Sequence, residues 1–453
     1  MHDISVLDMR ATFCAVMRLA AACCVVAPQV MAQRAFPAAV RPLASLDSAW
    51  ATLSRTFYDT QFVRGRGQVV HDSLRLVLGT DATDAAVRGA IRFLIAMPGQ
   101  SHMVLIPGDA VPEPDARDDA GRPHGTAGIE LRVVDDSVVV WRVAKGGAGD
   151  RAGVRVGAVV TQIGDLFVDS VRARLRRAIS VQSSTGRELM ASMMMSRLAG
   201  GAGDSVAMRI VDGGRARVVA LVRGPVTGRT TQFGNLPPIP VEASMDSTDV
   251  QTSTGARRVP VLRWSAWFPV ISADLDRMLF AARGAPALII DLRGNPGGAV
   301  GMLTGVTGHF TDSAVSLGTL HGRGSTLQLR ANPRRVTPAG ERVLPFAGPI
   351  AILVDALTAS TSEFFAAGMQ AIGRARVFGE RSAGQALPAA MMRLPNGDVL
   401  MHPIADHEDA RGRRVEGRGV QPDDVVPLRR DDLIAGHDAT LDAARRWLTR
   451  TLP

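Results

Sequence analysis

The stretch LIIDLRGNPGG, residues 288–298, decides the fold of the longest part of the chain. A short apolar run leads directly into a turn built from glycine, asparagine and proline. A continuous apolar run of this length, bounded by a turn, is typical of a strand buried on both faces of a parallel sheet. A second such run covers residues 349–354, and helix-type segments at 299–307 and 361–372 follow the two runs. This alternation predicts βαβ units and a largely parallel sheet.

The rest of the chain changes pattern twice. Apolar residues recur at helical spacing between positions 46 and 97, whereas short β-type runs dominate residues 126–226. A turn-rich, acidic segment at 107–124 separates the two regions. We therefore expect an α/β protein with a helical N-terminal region, a β-rich domain and an α/β core with a mostly parallel sheet. The expected bounds are listed in chain order: 1–32 export segment, 33–115 helical region, 124–226 β-rich domain, 228–430 core, 431–453 C-terminal helix.

The first 32 residues resemble a cleavable signal peptide. Arg10 and Arg18 precede an apolar run at 19–27, and Val-Met-Ala at 30–32 is a small-residue cleavage site. We expect export to the periplasm or secretion, with membrane contact only during export. Lipid anchoring through Cys23 is the alternative.

Composition excludes several classes of function. All three cysteines lie within the first 32 residues, so the remaining chain has no thiol for a disulfide, a metal site or catalysis. The formal charge of +9 comes almost entirely from scattered arginines, with Lys145 the single lysine, and only 4% of residues are aromatic. Nucleic-acid binding needs a clustered basic surface with stacking platforms, and we expect none. We also expect no metal and no cofactor.

Residues 128–160 resemble the start of a PDZ domain. Gly128-Ile129-Glu130 opens a strand, and AGVRVGAVV at 152–160 matches a common bacterial PDZ segment, except that Ala158 replaces the usual acidic residue. A PDZ domain binds a peptide by strand addition, with backbone N–H groups near a glycine holding the terminal carboxylate. The resemblance implies that Gly128, Ile129 and Glu130 bind peptide. An ordinary hairpin, whose glycines serve only turns, is the alternative.

Three motifs of the core occur in the order found in the tail-specific proteases, or C-terminal processing peptidases. They are residues 288–298, residues 351–365 (AILVDALTASTSEFF) running into 377–384, and residues 415–423 (VEGRGVQPD). The resemblance covers about residues 228–428. It implies a serine endopeptidase that acts on protein or peptide substrates with an extended C-terminal segment and uses no cofactor.

Ser360 is the predicted nucleophile. It lies where an apolar strand turns into a helix, so the Thr361 N–H stands at the positive end of the helix dipole and can stabilise an oxyanion. The resemblance implies further donors in the turn at Gly297 and Gly298. The alternative is purely structural, because Ser360-Thr361-Ser362-Glu363 is also a capping box. Asp291 and Arg293 are expected to form a structural ion pair.

The general base is missing from the places where the family has it. Gln385 stands where processing peptidases have a lysine, and Arg263 stands where the tricorn-like branch has a histidine. Glu416 matches the glutamate of that branch. His102, in Gly-Gln-Ser-His, resembles a step found in some relatives and is our first candidate for the base. Four other histidines remain as candidates: His309, His321, His402 and His407. For each of the five histidines, a surface or structural role is the alternative.

Two functions are therefore open at the level of the sequence. The first is a serine peptidase in which Ser360 attacks and Glu416 orients a base. The second is a non-catalytic peptide-binding protein that keeps the fold and has lost the base. A serine hydroxyl is a poor nucleophile until a base takes its proton, so the identity of that base decides between them.

Overall fold

The computed structural model describes residues 43–108, 123–176, 184–231 and 239–453, together with the backbone of Cys23–Cys24. The predicted signal peptide, apart from that dipeptide, lies outside the described residues, as does most of the acidic segment 107–124. In the ranges given, we find no helix with the length and apolar character needed to cross a membrane.

The N-terminal region is helical, as the spacing of its apolar residues predicts. Thr83 caps its last helix through a hydrogen bond from the Ala86 N–H to its side chain. The region ends on a strand that pairs antiparallel with a strand of the core, in the register Leu105 to Leu400. It is therefore joined to the core by backbone hydrogen bonds. Its elements are α1 (Leu43–Thr56), α2 (Gln68–Leu78), α3 (Asp84–Ala96) and β1 (Val104–Ile106), with Thr60–Phe62 and Val63–Gly67 as short helical turns.

The second domain is an antiparallel five-strand sheet, with a short sixth strand, and a smaller sheet beside it. Its strands are β2 (His124–Thr126), β3 (Ile129–Val134), β4 (Ser137–Val143), β5 (Val159–Ile163), β6 (Leu166–Phe167), β7 (Ala199–Gly201), β8 (Ser205–Asp212), β9 (Arg215–Val222) and β10 (Gly224–Pro225). Its helices are α4 (Ala148–Arg151), α5 (Val168–Leu175) and α6 (Ser184–Ser196). The larger sheet has the order β9-β8-β5-β4-β3, with β6 on β5, so β3 is an edge strand. Helix α6 packs against this edge strand.

The core contains a six-stranded sheet in the order β13-β14-β15-β19-β20-β24. Only β13 and β14 pair antiparallel, and every other pair is parallel, which confirms the predicted sheet. Its strands and the flanking ones are β11 (Arg229–Thr231), β12 (Ile239–Val241), β13 (Ala243–Thr252), β14 (Gly255–Trp264), β15 (Leu288–Asp291), β16 (Gly298–Ala299), β17 (Val315–Gly322), β18 (Ser325–Ala331), β19 (Ile350–Val354), β20 (Arg376–Gly379), β21 (Ala389–Arg393), β22 (Val399–Pro403), β23 (Ala405–Asp409) and β24 (Asp424–Val425).

The central strands β15 and β19 are buried along their whole length, because helices and neighbouring strands cover both faces. The core helices are α7 (Ser272–Ala281), α8 (Gly301–Thr307), α9 (Thr361–Ala371), α10 (Arg430–Ile434) and α11 (Ala439–Thr451), with 3-10 turns at Pro269–Ile271 and Ala282–Gly284. Helix α11 lies within the segment 431–453 for which a C-terminal helix is expected, and Gly436, at φ +73°, separates it from the short helix α10.

Candidate active site

The site forms at the edge of the sheet where β15 and β19 end. These strands are parallel neighbours, with Asp291 opposite Leu353, so the turns that follow them meet. The Ala359 N–H donates to the Asn295 carbonyl at 3.1 Å, and Thr361 Oγ1 donates to the Gly298 carbonyl at 2.7 Å. The structure therefore places the corner at Ser360 directly against the glycine turn.

Ser360 is fully buried and has an unusual backbone conformation, φ +55° and ψ −122°. A non-glycine residue in this region is strained, and such strain is held by the surroundings. Here the Ser360 N–H donates to the Gln385 carbonyl and to Glu363 Oε2, both at 3.0 Å. The second bond is the return half of the predicted capping box. The cap therefore coexists with a buried, strained strand-to-helix corner that lies against the glycine turn.

Thr361 begins helix α9, and its N–H makes no hydrogen bond within the described residues. It is thus a free donor at the positive end of a helix dipole, which suits a developing negative charge.

The glycine turn is fixed from behind by Trp267. The Trp267 N–H donates to the Gly297 carbonyl at 2.8 Å, and the Ala299 N–H donates to the Trp267 carbonyl at 2.6 Å. Gly298 has φ +142°, and a Cβ there would lie 2.3 Å from the Trp267 carbonyl oxygen, so only glycine fits. The Cys23–Cys24 backbone runs parallel to Gly298–Ala299, so an extended segment fits along this edge.

Gly297 does not fulfil its predicted role as a donor. Its N–H already donates to Asn295 Oδ1 at 2.9 Å. The physical reason is local, since the asparagine side chain folds back on its own turn and satisfies the amide two residues on. Gly298 and Thr361 remain as predicted donors.

Glu363 joins the nucleophile corner to the next loop. Its carboxylate accepts hydrogen bonds from the backbone N–H groups of Ser360, Gly384 and Gln385 and from the Ser382 hydroxyl. Burial raises the pKa of Glu363 to about 7. At the level of the sequence, only a capping role was predicted for Glu363.

Gln385 lies at the corner, where the family has its lysine. Its side chain is a hydrogen-bond donor, as expected, and Nε2 donates to Glu188 Oε2 at 2.8 Å. Lys145 is exposed in the turn after β4, in the second domain. The pairing of Gln385 with Glu188 was not predicted, because the two residues lie in different domains and no motif links them.

His102 belongs to a buried network with Glu416. Ser101 Oγ lies 2.6 Å from His102 Nδ1 and donates to Glu416 Oε2 at 3.0 Å. Glu416 also accepts from the N–H groups of Ser101 at 3.0 Å and Ala386 at 2.7 Å. Three donors on one carboxylate favour its ionised form, while burial raises its pKa. The sequence missed Ser101, although it lies within the quoted Gly-Gln-Ser-His step.

This network determines the tautomer of His102. When Glu416 is ionised, the one hydroxyl proton of Ser101 goes to its carboxylate, and Ser101 Oγ then accepts from His102 Nδ1–H. Nε2 is then the unprotonated nitrogen, which is the tautomer that a general base needs. Burial lowers the pKa of His102 to about 3, so the ring is neutral at physiological pH.

The other candidate histidines have structural surroundings. His309 contacts Asp276 at 3.0 Å and His321 contacts Glu408 at 3.2 Å. His402 Nε2 lies 2.6 Å from Thr56 Oγ1. His407 is buried, and the centroid of its ring lies 4.0 Å from that of the Phe364 ring. Burial lowers the pKa of His402 to about 4 and that of His407 to about 3.

Arg263 and the Asp291–Arg293 pair form a cluster beside the site. Arg293 makes a bidentate contact to Asp291 at 2.9 Å and also binds Asp438, which confirms the predicted structural ion pair. Arg263 donates to Asp291 at 3.2 Å and to Glu130 at 3.3 Å. The residue at the histidine position of the tricorn-like branch therefore joins the core to the second domain.

The predicted peptide-binding residues lie at the start of the edge strand β3. Gly128 has φ +68°, and its N–H donates to Thr126 Oγ1 at 3.2 Å. Ile129 packs in the domain core, and Glu130 faces Arg263. The next amide along the edge, Leu131 N–H, donates to Met195 Sδ of α6 at 3.3 Å. An added peptide strand must displace this contact.

The fold and the site together define a class, an α/β core of serine-peptidase type preceded by a helical region and a β-rich domain. The model of peptidase family S41 matches residues 262–426. In sequence, this chain is similar to carboxyl-terminal-processing proteases. Its relatives include the carboxyl-terminal-processing protease of Picosynechococcus sp., 30% identical over 145 residues, which are 32% of this chain and 33% of the relative.

The corresponding protease of Synechocystis sp. is 27% identical over 187 residues, 41% of each chain. The chain thus matches about a third to two fifths of the length of these relatives. The similarity in fold to solved structures covers more of this chain than the similarity in sequence does. The photosystem II D1 C-terminal processing protease aligns with a TM-score of 0.57 and 19% identity over 91% of this chain and 98% of that one. Mature CPAF aligns with a TM-score of 0.60 and 14% identity, over 91% and 98%.

Proposed function

We propose that this chain is a serine endopeptidase that cleaves extended or C-terminal segments of proteins and peptides. Ser360 is the nucleophile, His102 the general base and Glu416 the group that orients the base through Ser101. The observation that supports the proposal is the Glu416–Ser101–His102 network, because it offers an imidazole as an alternative base in a chain in which Gln385 replaces the lysine of the family.

The network and the nucleophile share one loop. Gln385 accepts a hydrogen bond from the Ser360 N–H, and the next residue, Ala386, donates to Glu416. A peptide carbonyl entering between Ser360 and Gly298 meets the nucleophile on one side and the Gly298 and Thr361 N–H groups on the other. Such donors, aimed at the position of the developing oxyanion, are usually the largest electrostatic contribution to acyl transfer.

The chemistry then follows in two stages. His102 Nε2 takes the proton of Ser360 Oγ as the oxygen attacks the carbonyl carbon, and the imidazolium gives that proton to the leaving amine. Water hydrolyses the resulting acyl-enzyme with the same base. Because burial opposes a charged imidazolium, the negative charge of Glu416, relayed by Ser101, is what makes proton uptake by His102 feasible.

The substrate enters as an extended strand along Gly298–Ala299. The β-rich domain, as a PDZ-like module, holds the C-terminal end of the substrate near Gly128, Ile129 and Glu130. Export to the periplasm or the outside of the cell is part of the proposal. Cell fractionation that finds the mature chain in the cytoplasm contradicts that part alone.

A serine-directed fluorophosphonate probe tests the central claim. We expect wild type to be labelled at Ser360, as mapped by mass spectrometry, and to cleave a peptide with a free extended C-terminus. Ser360→Ala abolishes both. His102→Ala leaves folding intact and lowers both rates by about 10²- to 10⁴-fold, the usual contribution of a general base.

The rival function is peptide binding without turnover. The hydrogen bond that Gln385 donates to Glu188 favours this rival function, because the glutamine amide at this position cannot accept a proton from Ser360. Tight binding of a C-terminal peptide by wild type, with no labelling and no cleavage, would establish the rival.

A further inference from the structure

Helix α6 of the β-rich domain brings one carboxyl group into the catalytic corner. Met190, Ala191 and Met194 of this helix are buried in the core of their own domain. Glu188 lies in the same helix, is 6% exposed, and accepts a hydrogen bond across the domain boundary from Gln385 Nε2 at 2.8 Å.

Gln385 lies in the loop that connects Ser360 with the Glu416 network. Its carbonyl accepts from the Ser360 N–H at 3.0 Å, and its own N–H donates to Glu363 at 2.9 Å. Gly384 N–H donates to Glu363, and Ala386 N–H donates to Glu416. Any rotation of this loop therefore changes the nucleophile and the base together.

The surroundings of Glu188 favour a neutral carboxyl group. Burial, and then the charges of Glu363 and Asp355, raise its pKa to about 8. Asp355 is itself paired with Arg132 at 2.9 Å, so this cation is already engaged. A protonated carboxyl group next to a primary amide satisfies both side chains without a buried net charge.

We propose that Glu188 is a positioning residue of this active site. It holds the side chain of Gln385 and thereby keeps the loop 384–386 in the geometry that joins Ser360 to Glu416. The β-rich domain is then part of the catalytic apparatus and not only a site for peptide capture. The catalytic readout of this inference rests on the proposed peptidase function, whereas its structural readout does not.

Amide hydrogen exchange and peptide kinetics test the inference together. We expect Glu188→Ala to speed exchange of the amides of residues 384–386 by about tenfold, the effect of losing one hydrogen bond. Its kcat falls by a similar factor, with KM for a short peptide unchanged. Glu188→Gln, which still accepts the bond from Gln385, keeps the wild-type values.

Arg430→Ala is the matched control. Arg430 Nε donates to the Gly157 carbonyl at 2.9 Å, so this variant also loses a contact between the β-rich domain and the rest of the chain, but away from Ser360. We expect neither the exchange of 384–386 nor kcat to change. If Glu188→Ala folds poorly, Glu188→Asp, which is one methylene too short to reach Gln385, replaces it.

Two results would overturn the inference. One is an unchanged exchange rate at 384–386 in Glu188→Ala and Glu188→Asp. The other is an equal loss in Arg430→Ala, which would mean that any loosening of the two domains has this effect. If wild type is neither labelled nor active, the proposed function fails, and the exchange measurement still decides the role of Glu188.

Discussion

Replacing Gly298 with alanine tests whether the glycine turn is one wall of the active site. The new Cβ would lie 2.3 Å from the carbonyl oxygen, 2.9 Å from the carbonyl carbon and 3.0 Å from the nitrogen of Trp267. These are backbone atoms that cannot rotate away, so the turn itself must shift. At φ +142° the backbone is also strained for any residue with a Cβ. Overpacking and backbone strain each cost about 1–3 kcal/mol, so we expect a destabilisation of about 2–6 kcal/mol.

The shift moves the Gly298 carbonyl away from Thr361 Oγ1 and the Gly298 N–H away from the oxyanion. Loss of one oxyanion donor costs about 10²- to 10³-fold in kcat. Gly301→Ala is the matched control three residues on, because nothing lies within 4 Å of its Cβ and it begins helix α8. It should be neutral or stabilising by up to about 1 kcal/mol. Urea unfolding and the rate of fluorophosphonate labelling are the assays. A folded Gly298→Ala variant that labels at the wild-type rate would refute the assignment of this turn.

Three other predictions follow from the site. Glu416→Gln places an amide N–H against groups that now donate hydrogen bonds to Glu416. We therefore expect kcat for peptide cleavage to fall by at least about 10²-fold, with little change in KM. A variant with wild-type kcat would contradict the role of Glu416. Arg293→Met leaves Asp291 buried without its main partner, and the free energy of unfolding in urea should fall by about 3–5 kcal/mol, whereas a change within 1 kcal/mol would show that the pair is solvated. Stability should be greatest near pH 6.5. Below about pH 6.5 the unfolded chain takes up protons on His102, His402 and His407 that the folded chain, with these pKa values near 3 or 4, does not bind. From about pH 4.5 upwards the unfolded chain has lost protons that Glu363 and Glu188 retain when folded up to about pH 7 and 8, so stability falls on the alkaline side. Urea midpoints that rise steadily to pH 9 would contradict this balance.

The sequence predicted the core well because its signals are local. The apolar run at 288–292 and the glycine turn after it are short-range consequences of a buried strand that ends at a sheet edge. The same is true of the corner at Ser360, where an apolar strand, a cap and a helix follow one another. Strand order then follows from the parallel βαβ connections.

Side chains that arrive from distant elements were harder to predict. The sequence pointed to His102 and Glu416, but only through a resemblance, and Ser101 between them was missed. Glu188 had no signal beyond being a charged residue in a helix rich in methionine. Gly297 was predicted as a donor because its side-chain-free backbone suits close approach, yet the neighbouring asparagine takes its N–H first. These outcomes depend on which long-range partners are within reach, and local patterns do not encode that.

The pairing of β1 with β22 has a consequence for biosynthesis. The histidine lies two residues before β1, and the strand that positions it comes from the last quarter of the chain, with Glu416 still further on. A nascent polypeptide that has already formed its serine corner therefore lacks the Glu416–Ser101–His102 network. On the proposed mechanism, peptide cleavage begins only once the two ends of the molecule have met.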